Sequence, residues 1–279
     1  KKRSFSENSI DNRRFGWPYA KAWAIYPSGG FFMQSDAVGT LRFKEVRESM
    51  KTDVVIVGAG PAGIFTAIEM LRKDSAKKIV IVEKGKSVEN RHCPKAKTQK
   101  CMNCKPYCHI TTGFSGAGAF SDGKLSLSSE VGGDLPMLIG ETLAQDTIDY
   151  TDKIYLEFGA DEHIEGLNVG EEVKEIRKRA IQAGLKLVDC PIRHMGTEKA
   201  QSIYLSIEKY LQNHGVEILF DYECNTLFIE DGICKGVSVT KADGSKSMDI
   251  FAEDTVVATG RRGADWLEKL CAEHNIAHK

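Results

Sequence analysis

A glycine-rich turn between two strand patterns restricts the fold of this chain more than any other feature. The apolar, β-branched run Val54–Val57, which begins after Asp53, is typical of a strand buried on both faces of a parallel sheet. It leads into the glycine-rich run 58–63, and helix spacing then covers Pro61–Arg72 before a second buried strand at Ile79–Val82. The sequence therefore predicts a βαβ unit whose helix begins in a glycine-rich loop.

The residues of this loop meet the physical requirements of a diphosphate. Gly58 allows a tight turn out of the strand, Gly60 lets the backbone approach phosphate groups, and Gly63 lets helix and strand pack closely. Pro61 and Ala62 begin the helix, where the missing N–H of proline would have had no intrahelical partner. The unpaired amide groups and the helix dipole then favour a bound anion.

An acidic residue follows the second strand in the position that a nucleotide ribose requires. Glu83 lies 20 residues after Gly63 and is predicted to accept hydrogen bonds from an adenosine ribose. Its charge would repel a 2′-phosphate, which disfavours NADP at this site. FAD and NAD are both compatible with the motif.

The remaining patterns predict an α/β fold, with a Rossmann-like parallel sheet, an antiparallel β-meander and a helical insertion. Residues 84–129 form a loop too long for a simple connection. Gly184 is predicted to end the second of the later helices, and Thr197 to cap the third. Those helices are expected over 137–158, 171–183 and 197–213, with strands at 185–188 and 216–220, meander segments at 223–229, 233–241 and 247–251, and a last buried strand at 255–260.

These patterns divide the chain into four segments. We predict a poorly defined N-terminal extension over 1–49, the βαβ unit with its Cys/Gly-rich loop over 50–133, a helical insertion over 134–214, and a return to the dinucleotide-binding domain over 215–279. The first segment mixes polar residues with aromatics and has no sustained period. We hypothesise that Met50 is the natural start; the alternative is an N-terminal arm whose aromatics, Trp17, Tyr19, Trp23, Tyr26, Phe31 and Phe32, pack on the domain.

Three features together resemble the two-dinucleotide-binding flavoproteins typified by glutathione reductase. They are the Gly-Ala-Gly-Pro-Ala-Gly loop, the sequence Glu83-Lys84-Gly85, and a meander that leads into Val257-Ala258-Thr259-Gly260. The resemblance implies FAD in the first βαβ unit. The Cys101–Cys108 cluster, the run Thr112–Leu125 and Gly196-Thr197-Glu198-Lys199-Ala200 are similar to a bacterial family of uncharacterised FAD-dependent dehydrogenases.

The resemblance also implies cofactor contacts beyond the first loop. Flavoproteins of this kind close the FAD site with a later Gly-Asp segment, so the resemblance implies a fragment whose C-terminal part is missing. The glycine-rich run after Phe114 would approach the flavin or its diphosphate, and Cys224 would lie at the adenine. The implied contacts after the first loop are Lys84, Ser115, Gly116, Gly118, Cys224, Ala258, Thr259 and Gly260.

Four cysteines lie within a short stretch of the long loop. Cys93, Cys101, Cys104 and Cys108 follow the spacing C-x7-C-x2-C-x3-C, and four soft ligands at short spacing suit zinc or an iron–sulfur cluster. A redox dithiol formed by Cys101 and Cys104 is one alternative, and four reduced thiols in a loop are another. The other four, Cys190, Cys224, Cys234 and Cys271, fit small hydrophobic positions.

His194 is the weak candidate for a catalytic proton donor or acceptor, with an exposed loop residue as the alternative. Asp122 and Lys124 could contact polar flavin edges, and Arg261-Arg262 could face the diphosphate. Each of these also fits a solvated surface. The formal net charge of −1 argues against nucleic acid as a partner. No apolar run approaches the roughly 18 residues of a membrane span, and a cytoplasmic location is expected.

The sequence therefore predicts an FAD-dependent oxidoreductase. Hydride or electrons would pass through the flavin to or from an unidentified small-molecule substrate or electron carrier, with NAD(P)H as a candidate second substrate. One alternative is an NAD-dependent dehydrogenase with the same loop. The other is a non-catalytic redox- or metal-sensing module. No pattern specifies an oligomeric state.

Overall fold

The computed structural model describes residues 31–35, 41–45, 47–167 and 170–277, the first two ranges by their backbone alone. It divides into two compact units, Lys1–Glu48 and Ser49–Lys279. In the first unit, strands β1 (Phe31–Ser35) and β2 (Leu41–Glu45) form an antiparallel pair with Phe31 opposite Glu45. The aromatic residues from Trp17 to Tyr26 lie outside the described residues. The pair is too short to give a period in the sequence.

A six-stranded sheet of mixed direction forms the centre of the second unit. Its order is β7-β4-β3-β10-β9-β8. The parallel part pairs Val54 with Ile79 and Val80 with Glu217, and the meander strands β8, β9 and β10 are antiparallel. The strands are β3 (Glu48–Val57), β4 (Ile79–Glu83), β7 (Glu217–Phe220), β8 (Tyr222–Glu230), β9 (Ile233–Lys241) and β10 (Ser247–Val257). The predicted α/β class with an antiparallel meander is confirmed.

One long strand replaces two predicted ones. The last meander segment and the first three residues of the strand predicted over 255–260 are both parts of β10, which ends at Val257. Its first half pairs with β9, and at its end the Ala258 amide donates to the Val57 carbonyl at 2.8 Å. The strand therefore joins the meander directly to the carboxyl edge of the parallel strands.

The helices agree with the predicted positions, with local differences. The predicted helix over 137–158 is interrupted at Gly140, whose φ of +88° no helix accepts. Gly196, not Thr197, is the N-cap residue of the third later helix. The helices are α1 (Pro61–Lys73), α2 (Lys95–Thr98), α3 (Leu135–Ile139), α4 (Glu141–Glu157), α5 (Glu171–Gln182), α6 (Thr197–Asn213) and α7 (Ala264–Glu273), with 3-10 turns at Val88–Asn90, Gly118–Phe120 and Arg261–Gly263.

The strand predicted over 185–188 is wrong. These residues have no regular structure, and the side chain of Leu185 is 66% exposed. The sequence has the composition of a strand there, but a strand needs a neighbouring strand to accept its hydrogen bonds. The local pairing is instead made by β6 (Ile192–His194), which is antiparallel to β5 (Lys124–Ser126).

Alternate residues of the parallel strands supply two hydrophobic clusters. Ile56 and Ile81 pack against α1 and α6, whose contributions include Ile64 and Ile207. The intervening residues, such as Val57 and Val82, pack with the meander residues Val237, Val239 and Ile250. Each fully buried aliphatic side chain contributes roughly 1.5–3 kcal/mol. Both clusters meet at β3, so they fix the position of the loop that follows it.

A glycine of β9 offers a test of the path of β10. A Cβ at Gly236, where φ is +137°, would lie 1.9 Å from the Ile250 carbonyl oxygen of the neighbouring strand. We expect Gly236→Ala to lower the free energy of unfolding, measured in urea, by at least about 3 kcal/mol because backbone strain adds to a clash with a carbonyl.

Gly244→Ala is the matched control. Gly244 also has a positive φ, +72°, but a Cβ there meets nothing within 4 Å. This change should cost only the conformational strain, about 1–2 kcal/mol. Equal losses in the two variants would contradict the close approach of β10.

Candidate cofactor-binding site

The three glycines of the first loop have different geometric roles. A Cβ at Gly58, where φ is +106°, would lie 2.5 Å from the Ala258 carbonyl oxygen, and one at Gly63 would lie 2.0 Å from the Gly58 carbonyl oxygen. Gly60 has an ordinary φ of −76°, and a Cβ there would meet nothing within 4 Å. The fold itself therefore requires glycine at the first and third positions, whereas at Gly60 it leaves room for a ligand.

The beginning of α1 is arranged to receive an anion. Pro61, Ala62 and Gly63 form its first turn, with Gly60 as N-cap residue, no capping side chain and no acidic residue in that turn. The amide groups of a first turn have no intrahelical acceptor, and the helix dipole is positive there. No side chain of this turn competes with an incoming anion.

The buried carboxylate of Glu83 bridges two loops. Its Oε2 accepts the Ala59 amide at 2.9 Å and its Oε1 accepts the Gly85 amide at 2.8 Å. Each carboxylate oxygen still has a second lone pair. Glu83 therefore ties the glycine-rich loop to the end of β4 and retains the capacity to accept a ribose hydroxyl. The sequence motif predicted the second role but gave no sign of the first.

The glycine-rich run after Phe114 lies directly on the first loop. The amide of Ser115 donates to the Ala59 carbonyl at 2.7 Å, and its side-chain Oγ accepts the Ala119 amide at 3.1 Å. Ser115 is fully buried with a φ of +71°, an unusual conformation for a residue other than glycine. Gly118 begins a 3-10 turn where a Cβ would lie 2.9 Å from the Tyr204 hydroxyl of α6.

A buried arginine that the sequence analysis did not single out organises this run. Arg91 donates from Nε to the His109 carbonyl at 2.7 Å, from Nη1 to Phe114 at 2.5 Å, and from Nη2 to Ile110 and Gly116 at 2.7 and 2.6 Å. Burial lowers its pKa to about 10, so it stays protonated at neutral pH. Its contacts are distant in the sequence and follow no period, so no sequence pattern could have identified it.

These elements surround a cavity with about 580 Å³ of empty space, its open mouth included. The Thr259 hydroxyl is buried and has no hydrogen-bond partner among the described residues. A buried hydroxyl without a partner is costly, which favours a polar ligand beside it. Six predicted cofactor residues line the cavity: Gly58, Glu83, Lys84, Gly116, Cys224 and Thr259; Arg262 and Trp266 do so as well.

The other predicted contacts lie close to these. Ala258 contacts the first loop at Gly58, and Gly260 follows with a φ of +57° and open space where its Cβ would be. Burial raises the pKa of the Cys224 thiol to about 12, so this thiol is neutral at physiological pH. Cys224 is therefore an apolar part of the wall.

The cysteine-rich loop reaches the mouth of the cavity through Tyr107. Its hydroxyl donates to Glu223 Oε2 at 2.7 Å, and Lys84 Nζ lies 5.1 Å from its ring centroid. The same ammonium group donates to the Arg262 carbonyl at 2.9 Å. The segment between Cys101 and Cys108 thus contributes an aromatic side chain that contacts Glu223 and Lys84, two residues that line the cavity.

The structure does not bring the predicted metal ligands together. Across 47–167 and 170–277, no three His, Cys, Asp or Glu side chains gather as a metal site would need. Cys101 is exposed, whereas Cys93, Cys104 and Cys108 are half-buried, and all four are free thiols. Hydrogen bonding from the Ile110 backbone lowers the pKa of Cys108, favouring its thiolate. The short spacing of the four cysteines does not produce a shared centre.

His194 lies away from the cavity. It is part of β6, opposite Lys124, with its Nδ1 3.8 Å from Glu165 Oε1. Lys124 pairs with Asp122 at 2.9 Å on the exposed surface. None of these residues lines the cavity described above, so the geometry gives the catalytic prediction for His194 no support.

Residues 171–278 match the family model of an FAD binding domain. The match covers less than half of the chain and supports FAD as the cofactor. It covers α5, α6, the meander and the cavity residues from Tyr222 to Trp266, and it does not include the Gly58–Gly63 loop.

Individual relatives are distant. An uncharacterized protein of Clostridium beijerinckii is 26% identical over an alignment of 243 residues that covers 84% of this chain and 37% of that protein. The chain thus spans little more than a third of that relative. L-amino acid deaminase from Proteus vulgaris is 18% identical, with 83% of this chain and 52% of that chain covered at a TM-score of 0.46.

A 3-ketosteroid-Δ4-(5α)-dehydrogenase from Rhodococcus jostii is 16% identical, with 82% of this chain and 49% of that chain covered at a TM-score of 0.48. Similarities this remote say nothing about the substrate. Within the described ranges, no helix combines the length and apolar character needed to cross a bilayer.

The double role of Glu83 can be tested by Glu83→Gln. The amide of Gln has one acceptor oxygen, so either Ala59 N–H or Gly85 N–H would face an NH₂ group instead of an acceptor. We expect the free energy of unfolding in urea to fall by about 1–3 kcal/mol.

The control is Glu223→Gln, at the mouth of the same cavity. Glu223 is exposed and accepts the Tyr107 hydroxyl. Its replacement should change stability by no more than about 0.5 kcal/mol. Similar losses at both positions would show that Glu83 does not hold the two loops.

Proposed function

We propose that this chain binds FAD in the cavity between the first loop, the Gly-rich run and the end of β10, as part of an FAD-dependent oxidoreductase. One observation carries the proposal: the buried Glu83 carboxylate lines the cavity together with Gly58 and accepts the Ala59 amide, directly before the open backbone position at Gly60. The family match on residues 171–278 supports FAD as the dinucleotide.

The residues present fit the parts of FAD. The first turn of α1 and the open Gly60 would hold the diphosphate, since backbone amides and the helix dipole are its natural partners. Glu83 would accept ribose hydroxyls with its remaining lone pairs. The Thr259 hydroxyl, which has no partner among the described residues, would gain a polar partner from the ligand. Gly116 and Gly260 both leave open space where a side chain would stand.

The bound flavin would supply the acceptance and return of a hydride or of single electrons. The chain's own groups would bind and orient it, and the packed layer formed by Phe114, Ser115 and α6 would exclude water from one side. A small-molecule substrate or an electron carrier, NAD(P)H among the candidates, would complete the reaction. Among the residues that the structure describes, no ligand set for an iron–sulfur cluster or zinc is assembled, and the proposal contains no step through one.

The sharpest test of the site is Gly60→Ala. The backbone at Gly60 is acceptable for any residue and a Cβ has room, so the fold should be unaffected. The added methyl group would stand where the diphosphate approaches. We expect FAD affinity, measured by quenching of flavin fluorescence, to fall at least about tenfold.

Gly170→Ala is a closely matched control. Gly170 is the N-cap residue of α5, with φ −65° and ψ 168° against φ −76° and ψ 177° for Gly60. A Cβ at Gly170 also meets nothing within 4 Å. This variant should bind FAD as the parent does, and equal affinity in all three proteins would exclude the first loop as the diphosphate site.

The absorbance spectrum of the purified chain separates the flavin from the alternatives. Bound FAD gives a yellow protein whose flavin bands bleach on reduction. An NAD-dependent enzyme would be colourless and would bind NAD in preference to FAD. A sensing module would bind without turnover of any hydride donor.

A further inference from the structure

We propose that Arg91 is the positioning residue of this cavity, and that its buried charge contributes to binding the diphosphate of the ligand. The inference rests on the proposed dinucleotide function and adds a determinant outside the glycine-rich loop. It assigns a ligand-directed role to a side chain that does not itself line the cavity.

The geometry places Arg91 immediately behind the cavity wall. Its side chain is 2% exposed, and it donates to the carbonyls of four residues in the stretch 109–116. Gly113 and Gly116, within that stretch, line the cavity. A Cβ at Gly113 would lie 2.7 Å from Arg91 Cδ, so a single layer of backbone separates the side chain from the cavity.

Contacts with the 3-10 turn Val88–Asn90, and through it with α6, fix the position of Arg91. Its amide donates to the Val88 carbonyl at 3.3 Å, and the Val88 amide donates to Glu208 Oε2 of α6 at 3.0 Å. The guanidinium carbon lies 4.5 Å from the ring centroid of Phe120. The aromatic ring on one face and the four carbonyls at its edge therefore fix the guanidinium before any ligand binds.

The hydrogen-bond partners of Arg91 are neutral. All four of its bonds go to backbone carbonyl oxygens, and the acidic groups that act on it at longer range are Glu83, Cys108 and Glu208. Carbonyl dipoles satisfy the donors but leave the net charge in place. In a buried environment such a charge is only weakly screened, and it attracts an anion in the adjoining cavity.

Two roles are thus separable. If Arg91 acts only by holding the loop, its loss should weaken the binding of every ligand of the cavity by the same factor. A role of the charge predicts a selective loss for ligands that carry phosphates. ADP and adenosine differ only in the diphosphate, so the ratio of their affinities isolates the charge.

The experiment measures ADP and adenosine binding to the whole chain by calorimetry, for the parent, Arg91→Met and Arg91→Lys. We expect Arg91→Met to lower the preference for ADP over adenosine by about tenfold. Arg91→Lys keeps the charge but loses the planar fork, so it should restore most of this preference even where both affinities fall. Arg72→Met removes an arginine on the outer part of α1 and should leave the preference unchanged.

A second variant covers the case in which Arg91→Met does not fold. In Glu208→Gln the amide oxygen still accepts the Val88 amide, while a negative charge that acts on Arg91 at longer range is removed. At pH 8 this variant should bind ADP more tightly, by about threefold, and adenosine as before.

The outcomes distinguish the role of the Arg91 charge from the presence of the dinucleotide site. Equal losses of ADP and adenosine in Arg91→Met, or an unchanged ADP preference in Glu208→Gln, would overturn the role of the charge while leaving the dinucleotide site intact. A parent protein that binds neither FAD nor ADP would overturn both. A selective loss of ADP with rescue by Lys would establish the proposal.

Discussion

The backbone of Ala59 is the point on which the cavity depends. Its N–H donates to the buried Glu83 carboxylate, and its carbonyl accepts the Ser115 amide. Three segments that are distant in the sequence, the glycine-rich loop, the end of β4 and the run after Phe114, are therefore positioned by one residue. Buried backbone groups without partners are costly, so these two bonds define one arrangement of the three segments strongly.

Two buried groups of opposite charge lie in separate layers of the cavity wall. The carboxylate of Glu83 forms part of the surface, whereas the guanidinium of Arg91 lies behind the Gly113–Gly116 wall. The cysteine-rich loop belongs to this wall as well, because Arg91 binds the carbonyls of His109 and Ile110 and Tyr107 reaches the mouth. Through these contacts the cysteine-rich loop supports the cavity wall. The thiols of the loop are distributed along its length.

The sequence predicted what depends on local order along the chain. The period of β3, α1 and β4 and the loop between them identified the βαβ unit, and α1 ends one residue beyond the predicted Arg72. Features that depend on distant partners were not predictable: the four carbonyl contacts of Arg91, and the absence of a partner for residues 185–188. The cysteine spacing shows that the thiols are close along the chain, but it does not specify the direction in which the backbone turns each one.

The continuity of β10 limits how this domain could change in evolution. The strand pairs with the meander at Ser247–Phe251, and beyond it Val256 and Ala258 pack on the cluster of α1 and α6. Side chains alternate between the two faces of a strand, so a single inserted residue within it would reverse every later position. Length variation in this region is therefore tolerable at the turns around Gly232 and Gly244. Within the strand itself, residues between the meander and the cavity can be added or removed only in even numbers if each side chain is to keep its face.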